Sequence, residues 1–142
     1  MIQTQPEWNY AVIRVRNADV SAGFYKEFVG MESVTDVRDN KGTRRVQMRQ
    51  GPQTASPVLV LEETPPPAKG ESAPKLYATI GLRLSKREEV DRVAAMAARK
   101  DCLTAQPYDG GPFRGYACTV TDPDGNHLEF FCPFTDRLGQ VT

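Results

Sequence analysis

Alternation of apolar and polar residues predicts a strand at the start of each half of the chain. Residues 10–16 and residues 79–84 each place aliphatic side chains at every second position. A period of two is typical of a strand with one buried face. In the first segment the aliphatic face carries Ile13 and Val15, and the opposite face carries Tyr10, Val12 and Arg14.

A helix with one apolar face is predicted after each of these strands. The first helix has an apolar residue at every fourth position, at Val20, Phe24 and Phe28. The second begins with a capping-box pattern, Ser85 with Glu88. Its apolar stripe consists of Val90, Val93, Ala94 and Ala97.

The remaining segments predict further strands and turns. Strands are expected at residues 31–37, 43–49, 57–62, 116–121 and 127–132. In residues 43–49 Val46 and Met48 do not fit a clean alternation, whereas residues 57–62 are apolar enough for burial on both faces. Residues 106–115, rich in proline and glycine, are predicted to form a loop, and Asp124 with Gly125 predicts a tight turn.

The two halves of the chain resemble each other on either side of a proline-rich segment, residues 63–75, which is predicted to be an exposed linker. At an offset of 69 residues, Ile13-Arg14-Val15 aligns with Leu82-Arg83-Leu84. Each half reads strand, helix, then two or three strands. We therefore predict one small unit used twice, and since neither unit buries both sheet faces alone, the units must pair within or between chains.

Composition excludes several classes of function. The 142 residues are 39% hydrophobic and 25% charged, as in ordinary folded proteins. Eighteen basic residues balance eighteen acidic ones, which argues against nucleic-acid binding. No apolar run approaches the length of a membrane span, and the first residues lack signal-peptide features, so we expect a cytoplasmic protein. One histidine and three cysteines without a CxxC pair predict neither a multi-histidine site nor a zinc or disulfide framework.

Two motifs resemble those of the vicinal oxygen chelate superfamily, which contains glyoxalase I, bleomycin-resistance proteins and extradiol dioxygenases. Residues 21–30 (SAGFYKEFVG) resemble its first-helix signature, and residues 122–130 (DPDGNHLEF) resemble its C-terminal signature. The resemblance implies an α+β fold of two tandem βαβββ modules, residues 9–62 and 76–132, which form a concave pocket within a single domain of residues 1–142. It also implies a homodimer.

The resemblance also indicates where a divalent metal would be held. Family ligands on the first strand of each module correspond to Tyr10 and Thr79, a last-strand glutamate is present as Glu129, and a fourth position falls near Val60 or Leu61. Because Glu129 is then the one surviving ligand, and known sites use three or more protein groups, we expect no catalytic metal. Two alternatives stay open, a shifted register that brings in Glu62 or Glu63, and a pair of His127 with Glu129.

The residues expected to line the pocket are Tyr10, Val12, Arg14, Thr79, Arg83, His127, Glu129 and Phe131. Arg14 and Arg83 occupy equivalent positions, where they either bind an anionic ligand or pair with nearby acids. Trp8, Tyr116 and Phe131 either stack on a planar ligand or pack in the core, and Cys118 and Cys132 are expected to be small buried apolar side chains.

Two functions are compatible with these residues and the resemblance. The first is a metal-free protein of the antibiotic-resistance type that sequesters a small planar or aromatic ligand. The second is an enzyme of the glyoxalase type, a lyase, isomerase or dioxygenase with atypical metal ligands. Whether the protein is an enzyme stays open at this point.

Overall fold

The computed structural model describes residues 6, 8–51, 58–65, 68–71 and 77–134. The chain divides into two compact units, Met1–Pro74 and Lys75–Thr142. The first contains β1 (Tyr10–Val15), α1 (Ala18–Val29), β2 (Met31–Arg38), β3 (Arg44–Gln50) and β4 (Val58–Glu63). The second contains β5 (Thr79–Arg83), α2 (Arg87–Arg99), β6 (Leu103–Asp109), the short α3 (Gly111–Arg114), β7 (Tyr116–Thr121) and β8 (His127–Cys132). The predicted α+β fold of two tandem βαβββ modules is confirmed.

The two units share one sheet topology. Their strand orders are β1-β4-β3-β2 and β5-β8-β7-β6, with the first pair of each sheet parallel. Tyr10 lies opposite Val58 in the first sheet, and Thr79 lies opposite His127 in the second. Thr79 and His127 each lie 69 residues after their counterparts Tyr10 and Val58, which is the offset read from the sequence. Positions in one unit can therefore be matched to positions in the other residue by residue.

The buried stripe of α1 differs from the predicted one. The helix begins after Asn17, whose side chain accepts hydrogen bonds from the backbone N–H groups of Asp19 and Val20. Its buried residues are Ala18, Ser21, Tyr25 and Phe28, while Val20 is 54% exposed. The predicted apolar face was wrong. The buried face of the helix is rotated from it by about one residue, because Tyr25 and not Phe24 packs against the sheet.

In β3, Val46 and Met48 are both buried, so the expected break in the alternation of this strand was wrong. Both side chains lie on the face against which α1 packs. The strand β4 is buried from Val58 to Leu61, as predicted for burial on both faces. It extends to Glu63, the first residue of the predicted linker, and residues 66–67 and 72–75 of that linker lie outside the described part.

The second unit contains two departures from expectation. Residues 106–115 are not a simple loop, since they include the end of β6 and all of α3. Pro107 is tolerated within β6 because this edge strand pairs with β7 alone, and its register shifts between Ala105 and Tyr108. The capping box of α2 does not form; instead the Ser85 hydroxyl donates a hydrogen bond of 2.9 Å to the Glu89 carboxylate.

Within the part of the chain that is described, no helix has the length and apolar character needed to cross a membrane.

Candidate functional site

In the second unit, the side chains expected to line a pocket share one face of the sheet. The helix α2 packs against β6, β7 and β8 and covers the near face, where Leu128 and Phe130 are buried. The alternating residues of β8 lie on the opposite face, which we call the far face of unit 2. Strand register places Thr79 beside His127, Gly81 beside Glu129 and Arg83 beside Phe131 on this face.

The Glu129 carboxylate forms an ion pair with Arg114, the last residue of α3. The Arg114 Nε lies 3.0 Å from Glu129 Oε2, and the two side chains are 38% and 20% exposed. Sequence reasoning missed Arg114 because the predicted loop has no periodicity that would aim a side chain at β8. The pair places a positive charge directly against the one carboxylate that the family resemblance singles out.

Backbone contacts around α3 hold Arg114 in this position. The N–H of Gly110 donates to the carbonyl of Gly115 at 2.6 Å, and the N–H of Gly115 donates to that of Gly111 at 2.8 Å. Gly115 has φ 75°, and a Cβ there would lie 2.4 Å from the carbonyl oxygen of Cys132. The segment can approach β8 this closely because position 115 has no side chain.

The C-terminal signature, residues 122–130, sets the register of the same strands. The carboxylate of Asp122 accepts hydrogen bonds from the backbone N–H groups of Asp124 and Asn126, at 2.9 and 2.8 Å. The Asn126 side chain donates to Asp122 and accepts from the backbone N–H of Ala78, just before β5. The tight turn predicted at Asp124 and Gly125 is confirmed, with Gly125 at φ 94°. The motif thus fixes β5 against β8 and brings Gly81 beside Glu129.

In the first unit, the corresponding far face carries Tyr10, Val12 and Arg14. Tyr10 and Val12 are 55% and 44% exposed. Arg14 lies opposite Glu62, and its Nε is 3.6 Å from a carboxylate oxygen of that residue. The sequence left open whether Arg14 binds an anionic ligand or pairs with an acid. In the structure Arg14 pairs with an acid.

Arg83 differs from Arg14 because its strand partner is Phe131 instead of a glutamate. Among the described residues it has no ion pair. It borders a cleft of about 410 Å³, whose other lining residues are Leu84, Ser85, Cys132 and Pro133. The two equivalent arginines are thus in different electrostatic surroundings.

Glu62 is also bound by a second arginine. Arg45 Nε lies 3.0 Å from Glu62, and Arg45 Nη1 lies 2.8 Å from Asp39. The hydrogen bond from Arg45 holds the pKa of Asp39 below its usual value, and Asp39 in turn raises that of Arg45. Both sides of the Glu62 carboxylate are occupied by guanidinium groups.

Each unit by itself offers few ligand atoms at the expected metal positions. By register, Val60 of unit 1 corresponds to Glu129 of unit 2, and it offers no ligand atom. Leu61 is fully buried, and the Glu63 carboxylate accepts a hydrogen bond from the backbone N–H of Ala18. In the described ranges no three His, Cys, Asp or Glu side chains cluster closely enough to hold a metal ion.

The aromatic candidates separate into different environments. Tyr116 is not available for stacking on the far face, because its hydroxyl donates to Asp91 at 2.5 Å and the Arg87 guanidinium lies 4.3 Å from its ring centroid. Phe131 does lie on the far face, where its ring edge would be 3.4 Å from a Cβ at Gly81. Trp8 is 71% exposed.

The cysteines fit the expected apolar role in part. Cys118 is buried, and burial raises the pKa of its thiol to about 11. Cys132 is half-buried.

Comparison with known proteins identifies the family. Residues 8–130 match the profile of the Glyoxalase/Bleomycin resistance protein/Dioxygenase superfamily. An uncharacterized protein of Pseudomonas aeruginosa is 32% identical over 125 residues, which are 88% of this chain and 87% of that protein.

Two solved structures show the same fold at low identity. The trypanothione-dependent glyoxalase I of Leishmania major has a TM-score of 0.70 and 22% identity, and the match covers 90% of this chain and 87% of that one. An antibiotic binding protein from a Streptomyces species has a TM-score of 0.67 and 20% identity, with 94% and 100% covered. With the matched profile spanning nearly the whole length, this chain belongs to the glyoxalase/bleomycin resistance/dioxygenase superfamily, also called the vicinal oxygen chelate superfamily.

Proposed function

We propose that the protein is a cytoplasmic homodimer that binds and sequesters a small planar or aromatic molecule without a metal ion. The observation that carries the proposal is the Arg114–Glu129 ion pair, with its Nε–Oε2 distance of 3.0 Å. A guanidinium at that distance provides the positive charge that a metal ion would otherwise provide to a carboxylate in this position. A metal ion at this carboxylate would have to compete with the Arg114 guanidinium.

The surfaces next to this ion pair suit a flat ligand. Phe131 shares the far face of unit 2 with Glu129, and Gly81 carries no side chain between the two strands beside its ring edge. Aromatic rings of this kind stack on planar molecules. That one protein of the same fold is an antibiotic binding protein supports this class of function.

The second candidate is an enzyme of the glyoxalase type, a lyase, isomerase or dioxygenase with atypical ligands. The structural likeness to a glyoxalase I favours it. In this alternative Glu129 acts as a base in an isomerisation, while Arg114 holds one of its two carboxylate oxygens.

Ligand binding and its dependence on Glu129 test the proposal. We expect a thermal-shift screen of small aromatic compounds to yield ligands that raise the Tm of the wild-type protein. Glu129→Gln keeps the shape of the side chain but removes its charge and the ion pair, so we expect binding weaker by about 1.5–3 kcal/mol with little loss of fold. The matched control is Glu88→Gln, on the exposed surface of α2. Ligands that bind Glu129→Gln and wild type equally well would show that Glu129 has no part in binding.

Metal content separates the two candidate functions. We expect protein purified without chelators to contain far less than one equivalent of zinc, iron, manganese or nickel by elemental mass spectrometry. Removal of any trace with a chelator should leave ligand binding unchanged. A stoichiometric metal that is lost in Glu129→Gln would contradict the proposal and favour the enzyme.

A further inference from the structure

Arg49 carries a hydrogen-bond donor without a partner on the far face of unit 1. It lies on β3, two positions beyond Gln47 and four beyond Arg45, so the three side chains share this face. Its Nε is buried and has no hydrogen-bond partner in the described part of the chain. Arg45, by contrast, donates to both Asp39 and Glu62. A buried guanidinium N–H without an acceptor is unfavourable, so this donor requires an explanation.

The neighbours of Arg49 explain why the donor is left over. On one side, strand register places Val58 of β4 next to it, continuing the pairing of Met48 with Leu59. Val58 is apolar and buried, so it offers no side-chain acceptor. On the other side Glu32 of β2 lies directly opposite, yet among the described residues no hydrogen bond or ion pair joins it to Arg49. Neither of these neighbours in the sheet supplies an acceptor to the Nε.

The same row of the sheet ends in an exposed aromatic ring. Val58 lies opposite Tyr10 of β1, so Tyr10 and Arg49 are two strands apart, roughly 10 Å at the usual strand spacing. The side chain between them is the aliphatic Val58. An apolar strip with an aromatic ring at one end and a guanidinium at the other matches a flat aromatic molecule that carries an acidic group.

We infer that Arg49 is a specificity-determining residue that binds the carboxylate of an aromatic acid. The Nε and an adjacent Nη form one of the two bidentate edges of a guanidinium, which match the two oxygens of a carboxylate. The ring of the ligand then extends along this row toward the exposed Tyr10. This inference rests on the proposed function, since it assumes that the protein binds a small aromatic molecule, and it assigns an aromatic acid to the far face of unit 1.

Ring-matched acids and amides test the inference directly. The probes are benzoate and benzamide, indole-3-acetate and indole-3-acetamide, and 2-naphthoate and 2-naphthamide, with Kd measured by calorimetry. For wild type we expect at least one acid to bind about tenfold or more tightly than its amide. We expect Arg49→Gln to abolish this preference without abolishing amide binding. The matched control Arg92→Gln, on the exposed surface of α2, should retain the preference.

The outcomes separate this inference from the proposed function. Equal binding of acids and amides by wild type overturns the inference and leaves the proposed function in place. Failure of all six probes to bind overturns both. A preference that survives Arg49→Gln overturns the role of Arg49. If Arg49 serves only to pair with Glu32, then Arg49→Gln and Glu32→Gln lower the Tm alike and neither changes the acid preference, which also contradicts the inference.

A measurement on the wild-type protein keeps the inference testable even if Arg49→Gln fails to fold. The ¹⁵N–¹H resonance of the Arg49 Nε, assigned with Arg49→Lys, is followed during titration with 2-naphthoate and 2-naphthamide. We expect a saturable shift with the acid and a smaller one with the amide. An Nε resonance that does not respond to the bound acid overturns the inference.

Discussion

Gly115 determines whether Arg114 can reach Glu129. Its backbone lies at φ 75° and ψ −133°, a region that side chains with a Cβ rarely adopt. A Cβ at this position would also lie 2.6 Å from the backbone nitrogen of Phe134. One residue without a side chain thus allows both the turn after α3 and its close contact with the end of β8.

Gly115→Ala is expected to lower the free energy of unfolding by at least about 2 kcal/mol, because it combines backbone strain with a clash against backbone atoms. Urea denaturation followed by circular dichroism measures this change. The matched control is Gly23→Ala in α1, where a Cβ meets nothing within 4 Å. Helix propensity predicts that this control gains about 0.5–1 kcal/mol. Equal stabilities of the two variants would show that position 115 is not constrained.

At the scale of secondary-structure elements, Arg44 connects α1, β2 and β4. Its Nη2 lies 2.9 Å from Asp19 of α1 and 2.8 Å from Asp36 of β2, and its Nη1 lies 3.7 Å from Glu63 of β4. The Arg44 side chain is only 17% exposed. Its hydrogen bonds hold the pKa values of Asp19 and Asp36 below their usual range.

These lowered pKa values predict an acid-sensitive contribution to stability. Because both carboxyl groups lose protons more readily in the folded state, their contribution is fully present above the unfolded pKa of about 3.9. It decreases as the pH falls through the lower folded values. We expect Arg44→Gln to be less stable than wild type at pH 7, with the difference shrinking below about pH 4.

Urea midpoints measured from pH 7 to pH 2 test this expectation. The control Arg92→Gln removes a charge from an exposed position of α2 and should follow wild type throughout. A difference between Arg44→Gln and wild type that stays constant across this range would mean that Arg44 stabilises the unit through packing and not through Asp19 and Asp36.

At the scale of the whole molecule, the exposed edge of the first sheet is consistent with self-association. β2 is the outer strand of that sheet, and every residue after Met31 is exposed. Val34 and Val37 are 49% and 57% exposed on it. Exposed apolar side chains on an outer strand offer a place where a second chain can pair.

We expect the protein to sediment at twice the mass of one chain at micromolar concentration. If β2 contributes to the contact, Val37→Lys should shift the equilibrium toward monomer, while Lys26→Gln on α1 should leave it unchanged. A wild-type protein that sediments as a monomer up to high micromolar concentrations would contradict the predicted homodimer.

Much of the architecture could be read from the sequence because its signals are local. Strands β7 and β8 have the bounds that the sequence predicted, and the turn between them follows from Asp124 and Gly125. The 69-residue offset gave the correct equivalence of Tyr10 with Thr79, since a repeated unit repeats its hydrogen-bond register. Where propensity and pattern disagreed with packing, as at Val20 and Pro107, the sequence-based expectation was wrong.

The sequence by itself determined which residues share a strand face, and it placed His127, Glu129 and Phe131 together. Only the tertiary structure decided what those faces meet. Arg114 reaches Glu129 through a glycine-dependent turn, and the Arg49 Nε has no partner among the described residues although Glu32 lies opposite it. The physical reason is that alternation along a strand is a local property of the backbone. The charge and hydrogen-bond state of a side chain depends on atoms that strand pairing and loop closure bring from distant parts of the chain.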